Sequence, residues 1–418
     1  MVKTIDFGVI MKKLIVKGGR PLFGSVTAAG SKNASLPILF SSLITKDVSR
    51  IDNIPEIGDT VVALKILKSF GVEHRREGKT LFVDARNIHY ATPDANLISK
   101  IRASTYLIGA CLSAFGKCRI MDFGGCKFSP RPIDLHIDAA KALGARKLGD
   151  FLYTDKLVGA EINLSKPSVG ATVNSLIMAC SAEGESSIVG YAKEPHVLAL
   201  IDFLRSMGAD IRLSDDKILI KGTRLHGGNT SVIGDMIEAG TYLTAGLITG
   251  GEVEVVGVSA ESMEPYLSLT WKMGAKLQAG KDRMRACAGE ILSFGEVVAM
   301  PYPGFPTDLQ PIIAPLFAKN SGGVIIDRVF PDRFEYLESL SSFGVSYKKI
   351  GSRYIIEGSK LKSSKSSAPC LRGGAALLLS ALCQEGESVI ENAELILRGY
   401  EDPVKKLRSL GADVELTD

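Results

Sequence analysis

Six stretches of the chain are apolar on almost every side. They are SKNASLPILFSSLI from Ser31, IRASTYLIGACLSA from Ile101, VGATVNSLIMACSA from Val169, IEAGTYLTAGLITG from Ile237, TDLQPIIAPLFAKN from Thr307 and LRGGAALLLSALCQ from Leu371. A helix without a polar face must be surrounded by other elements, so these stretches predict six buried helices. Between them runs a second pattern, amphipathic at helical spacing, as in Ala63, Ile66, Leu67 and Phe70, or Val404, Leu407 and Leu410. Each amphipathic stretch ends in a variant of one phrase: SFGVEH, ALGARK, SMGADI, KMGAKL, SFGVSY and SLGADV. The glycines Gly71, Gly144, Gly208, Gly274, Gly344 and Gly411 recur every 64 to 73 residues. They predict left-handed helix caps, each followed by a short strand. β-rich pieces such as SRIDNI, GESSIVG, GEVEVVG, GGVIID and GESVIEN lie between the helices, and GKTLFVDA reads as a strand or hairpin.

The chain therefore reads as six repeats of helix, strand, helix and strand. At 418 residues it exceeds one hydrophobic core. The repeats divide into two α/β domains of three, with buried helices inside and amphipathic helices and sheets outside. A boundary is expected near HGGNTSVIGD, residues 226–235. The alternative is six unrelated αβ segments that share a glycine cap.

Composition narrows the function. The 50 basic and 46 acidic residues leave a net +4, too little to imply nucleic acid or a membrane surface as partner. No apolar run approaches the roughly 18–20 residues of a spanning helix, so no membrane insertion is expected. The start, MVKTIDFGVIMKKLIV, is too short and too charged in its apolar part for a signal peptide, and MKKLIVKGG from Met11 resembles a natural start. Seven cysteines without CxxC spacing, several inside apolar runs, read as reduced core thiols of a cytosolic protein. The five histidines form neither HExxH nor a cluster with cysteine, so no metal site is expected. P-loop, dinucleotide and GxSxG signatures are missing as well.

Several of the buried helices carry an ionic group in the first turn, among them Lys32, Arg102, Asp308 and Arg372. A charge there is costly without a partner or ligand, and helix starts favour anions. Four such starts predict an anion site in a cleft between two domains. GGCKFSPRPIDLH, residues 124–136, adds a cysteine behind two glycines, close to Lys127 and Arg131. Basic neighbours favour the thiolate, and glycines suit a segment that moves.

AGSKNASLP, GGC followed by RPIDLH, SVGATV, FPTDLQ, VFPDRF and RGYE occur in the order found in the UDP-N-acetylglucosamine 1-carboxyvinyltransferase family of enolpyruvyl transferases. The chain resembles that family from about residue 12 onward. The resemblance implies two inverse α/β-barrel-like domains facing across a cleft: residues 32–232 with the cysteine loop, and residues 1–31 together with 233–418. It implies transfer of the enolpyruvyl group of phosphoenolpyruvate to the 3′-hydroxyl of UDP-N-acetylglucosamine, with release of phosphate. That is the first committed step of peptidoglycan synthesis, and it uses neither metal nor organic cofactor.

By the same resemblance Cys126 is the acid that protonates the methylene carbon and the target of fosfomycin. Lys32, Asn33, Arg131 and Arg398 hold phosphoenolpyruvate, with Arg372 as a possible aid, and Lys32 and Arg398 count with the catalytic set. Asp308 is the base that takes the sugar hydroxyl proton; its other reading is a helix cap, a role open to Thr307. The nucleotide sugar falls to Arg102, Arg131, Pro132, Ile133, Asp134, Leu135, Lys166, Pro167, Ser168, Val169, Asp308 and Val329. His136 supports the loop. Three departures stand out: Cys370 where the family usually has aspartate, Met236 where arginine is common, and LILRGYE in place of a more polar run. They leave open a divergent paralogue acting on another acceptor, a shikimate-pathway enolpyruvyl transferase, and a non-catalytic UDP-sugar sensor. The sequence carries no signal of oligomeric state.

Overall fold

The computed structural model describes residues 11–125, 131–288 and 292–418. The chain forms two compact units, one of residues 30–233 and one of residues 1–29 with 234–418. Six inner helices carry the core: α1 (Lys32–Ser41), α2 (Leu107–Phe115), α3 (Val169–Ser181), α4 (Met236–Thr249), α5 (Gln310–Lys319) and α6 (Leu371–Leu382). The first three belong to unit 30–233, the last three to the other. Every residue of α6 is buried, as is α4 from Ile237 to Ile248. In the second unit α4, α5 and α6 pack against one another, and in the first α2 packs on α3.

Burial all round favours hydroxyls that find an acceptor within their own helix. Ser41 donates to the carbonyl of Pro37, Thr241 to that of Ile237 and Ser380 to that of Ala376, each one turn back. The apolar remainder then packs at roughly 1.5–3 kcal/mol per large side chain removed from water.

Six outer helices alternate with the inner ones: Gly58–Ser69, Asp134–Ala142, Pro195–Ser206, Glu264–Met273, Tyr336–Ser341 and Pro403–Ser409. Each ends at one of the six repeated glycines, and all six have positive φ, between 84° at Gly71 and 107° at Gly274. The residue after each glycine donates its N–H to the carbonyl five positions back, as Ala209 does to Leu204 at 3.0 Å and Ala412 to Leu407 at 3.0 Å. This is the Schellman closure expected of a glycine cap.

Among the described residues there is one sheet per repeat: five sheets have four strands, and the sixth, holding Lys117–Arg119, has three. In each four-stranded sheet the strand after the inner helix pairs antiparallel with one strand and parallel with another. Glu185–Val189 thus pairs antiparallel with Lys217–Lys221 and parallel with Glu161–Asn163. In the last repeat the antiparallel partner comes from the other end of the chain. Lys13–Gly18 lies between Gly386–Glu391 and Asp413–Thr417, and Phe23–Thr27 runs parallel to Glu252–Val256. The residues that open the chain thus complete sheets whose other strands lie more than 200 residues away.

The chain passes from one unit to the other at residues 29/30 and 233/234. Beside the crossings, Asp235 N–H donates to the Ala29 carbonyl at 2.8 Å, and Ser31 N–H to the Ile233 carbonyl at 2.7 Å. Glu238, 1% exposed, accepts the Ala29 N–H at 2.7 Å and ion-pairs with Lys406. Burial raises the Glu238 carboxyl to about 7, against the pull of Lys406.

Candidate active site

In unit 30–233 the first cation stands at the start of α1. Ser31 caps that helix, its Oγ accepting from Ala34 N–H, and this sets Lys32 as the first helical residue. An ammonium at a helix N-terminus faces the positive end of the backbone dipole. Asp59, on outer helix Gly58–Ser69, answers it: Lys32 Nζ lies 3.2 Å from Asp59 Oδ2, with the Asp59 side chain 3% exposed. Asn33 follows, half-buried.

Arg102 opens the 3-10 turn Arg102–Tyr106 that leads into α2. Its guanidinium donates to the carbonyl of Arg131 at 2.5 Å and to that of Phe123 at 3.4 Å. Burial, then the nearby charge of Arg131, lowers its pKa to about 10. Arg102 stays charged at neutral pH, and two guanidiniums so close favour an anion beside them. Arg131, Ile133 and Leu135 are half-buried, whereas Pro132 and Asp134 are exposed. Lys166 and Pro167 are exposed ahead of α3, and Ser168 caps that helix by accepting from Ala171 N–H, with Val169 next. Cys126 and Lys127 lie outside the described residues.

His136 is buried, and burial followed by the charge of Arg102 lowers it to about 4, so it is neutral at pH 7. Its Nδ1 stands 2.6 Å from Asn174 Nδ2. The Asn174 amide is oriented by the backbone: Oδ1 accepts from Gly109 N–H at 2.7 Å and Nδ2 donates to the Thr105 carbonyl at 3.0 Å. The second amide proton therefore goes to His136 Nδ1, leaving the ring proton on Nε2. His136 thus ties the helix after RPIDLH to α2 and α3.

In the other unit the central group is Asp308, in the turn before α5. Arg333 Nη1 donates to Asp308 Oδ1 at 2.8 Å, and Arg372 Nη2 to Oδ2 at 3.2 Å. Both arginines are buried, Arg372 at 1% and Arg333 at 6% exposure. The Arg372 guanidinium lies over the Tyr400 ring at 5.3 Å, and its Nη1 has no hydrogen-bond partner among the described residues. A buried guanidinium with a donor to spare fits an anion.

Thr307 does not cap α5. That helix has Leu309 at its cap position without a side-chain bond, and the Thr307 hydroxyl donates to Asp327 Oδ2 at 2.5 Å while accepting from Arg333 Nη1 at 3.2 Å. The other oxygen of Asp327 accepts the N–H groups of Val329 at 2.9 Å and Phe330 at 2.7 Å. Burial raises the Asp327 carboxyl, opposed by those donors and by Arg333. Val329 is half-buried. Arg398 ends the 3-10 turn Ala393–Arg398 and is half-buried. Cys370 caps α6 through its sulfur, which accepts from Gly373 N–H at 3.4 Å, and Met236 packs against the core of its unit.

The structure thus places Lys32 with Asp59, Arg102 with Arg131, and Asp308 with Arg333 and Arg372. Asp59, Asn174, Arg333 and Asp327 escaped the sequence reading. Two of them left a trace there: an amide inside an otherwise apolar helix at Asn174, and the cation of VFPDRF at Arg333.

A family model described as EPSP synthase (3-phosphoshikimate 1-carboxyvinyltransferase) matches residues 16–407. A protein of Caldanaerobacter subterraneus subsp. tengcongensis named UDP-N-acetylglucosamine 1-carboxyvinyltransferase 3 is 38% identical over 97% of this chain and 99% of its own length. One of Halothermothrix orenii, named UDP-N-acetylglucosamine 1-carboxyvinyltransferase, is 37% identical over 97% and 99%. Among solved structures, the enolpyruvyl transferase NikO from Streptomyces tendae superposes with a TM-score of 0.87 at 27% identity, covering 97% of this chain and 99% of its own. The chain belongs to the EPSP synthase family of enolpyruvyl transferases, in the group of the UDP-N-acetylglucosamine 1-carboxyvinyltransferases.

Proposed function

We propose that the chain transfers the enolpyruvyl group of phosphoenolpyruvate to the 3′-hydroxyl of UDP-N-acetylglucosamine and releases phosphate, in peptidoglycan synthesis. The observation that carries this reading is Asp308 clamped by Arg333 and Arg372, a carboxylate beside two buried cations. The relatives' shared name supports the acceptor.

In the first step the Cys126 thiol gives its proton to the methylene carbon of phosphoenolpyruvate. The adjacent carbon becomes cation-like and bonds to the sugar oxygen, whose proton passes to Asp308. In the second step the new methyl group returns a proton to the Cys126 thiolate, the double bond re-forms, and the carbon–oxygen bond to phosphate breaks with its electron pair leaving on phosphate, which takes up the proton held by Asp308. Lys32, Asn33, Arg131 and Arg398 bind the phosphate and carboxylate of phosphoenolpyruvate. The spare donor of Arg372 suits the same anion, and an anion that draws the guanidiniums from Asp308 makes that carboxylate more basic. Arg102, the segment Arg131–Leu135, Lys166–Val169 and Val329 hold the nucleotide sugar.

Transfer to another acceptor is the second reading, favoured by Cys370 and Met236 at positions where the family differs. Phosphate release from phosphoenolpyruvate with each candidate acceptor tests both. Release with UDP-N-acetylglucosamine alone is expected; binding of that sugar without release would leave a sensor instead. Cys126→Ser is expected to abolish fosfomycin inactivation, and unchanged inactivation counts against the reading.

A further inference from the structure

We propose that Asp327 is a positioning residue that joins the aim of the base to the backbone at Val329. The inference rests on the reaction proposed above. Asp327 ends the strand Gly323–Asp327 and is 3% exposed. One carboxylate oxygen takes the N–H groups of Val329 and Phe330 and so shapes the turn that presents Val329. The other takes the Thr307 hydroxyl proton.

That second bond has a direction. A hydroxyl has one proton, and once it is committed to Asp327 the oxygen acts only as an acceptor. Arg333 Nη1 fills it at 3.2 Å while also donating to Asp308. The order of donation therefore runs from Arg333 to Thr307 to Asp327, with Asp308 held by the same guanidinium nitrogen.

The two oxygens of Asp327 can be separated by substitution. Asp327→Asn keeps a carbonyl oxygen for the two backbone N–H groups, which fix its orientation. Its amide then faces Thr307, reverses the hydroxyl and loosens Arg333. Thr307→Val removes the hydroxyl alone and nearly keeps the shape.

The experiment is steady-state kinetics of the full chain as wild type, D327N, T307V and the double variant. D327N and T307V are each expected to lower kcat roughly 10- to 100-fold, with KM for UDP-N-acetylglucosamine within about twofold. The double variant is expected to be no worse than the poorer single one, because both break one chain of bonds. Unchanged kcat in T307V, or additive losses in the double variant, overturns the proposal. If wild type turns over a different acceptor, the same split is read on that acceptor. Carboxyl 13C titration of Asp308, which needs no turnover, gives an independent readout: its pKa is expected to rise in both single variants. No rise in either overturns the proposal, while a rise without any wild-type phosphate release overturns only the reaction.

Discussion

Lys32 and Asp59 join the first turns of two neighbouring helices through an ion pair of 3.2 Å. The pair holds an ammonium at a helix start, where the helix dipole disfavours it. Asp59→Asn weakens that hold without emptying the space. KM for phosphoenolpyruvate is expected to rise about 10-fold, with KM for the nucleotide sugar little changed, a cost of roughly 1.4 kcal/mol in binding. Steady-state kinetics with each substrate varied in turn checks this, and equal effects on both KM values would contradict it.

Asp308→Asn tests the base. The amide keeps the size of the carboxylate but cannot take the hydroxyl proton, and Arg333 and Arg372 lose the charge they share. Loss of a general base is expected to lower kcat about 100- to 10,000-fold. A nearly normal kcat with a well-folded variant would remove Asp308 from the proton transfer.

The glycine caps offer a test of stability rather than chemistry. Gly411 has φ of 97° and open space where a Cβ would sit, so Gly411→Ala meets only the backbone penalty, about 1–2 kcal/mol. At Gly71 a Cβ would also come within 2.7 Å of the Asn87 carbonyl oxygen and 2.8 Å of the His89 ring. Gly71→Ala is therefore expected to cost more than Gly411→Ala in urea denaturation, and an equal or smaller cost would show that the segment holding Asn87 and His89 gives way.

Those glycines mark how far local pattern reaches. A cap, a face without polar residues and a helix start are written within a few neighbours, and Gly71 through Gly411 and the six inner helices were legible for that reason. Family resemblance implied only that residues 1–31 pack with 233–418; the placement of Lys13–Gly18 between Gly386–Glu391 and Asp413–Thr417 was not legible, because a lone strand does not name its partner. The partners of the charged groups were harder still. Asp59, Arg333 and Asp327 act by meeting a residue at least 20 positions away, so no spacing announces them. Thr307 misled for the opposite reason: its place before α5 fits a local cap, but its oxygen accepts from Arg333 Nη1 rather than from a helix N–H, while its proton goes to Asp327.

The two units should respond to pH in opposite directions. His136, with Arg102 and Asn174 about it, is lowered to about 4 in the fold from an ordinary 6.5. The unfolded chain binds that proton first, so the stability His136 gives unit 30–233 is complete above pH 6.5 and lost as pH falls towards 4. Glu238 faces Lys406, Asp235, Tyr242 and the Ala29 N–H, and is raised to about 7 from 4.5. Here the folded state keeps a proton the unfolded chain has released, so its contribution is complete below pH 4.5 and lost as pH rises through 7. Each shift corresponds to roughly 3 kcal/mol across its window. Hydrogen exchange, corrected for its intrinsic pH dependence, is expected to show α3 amides gaining protection from pH 5 to 7 while α4 amides lose it. His136→Gln should flatten the first trend and Glu238→Gln the second. Parallel changes in both helices, or trends that survive those substitutions, would mean that other groups govern the acid response.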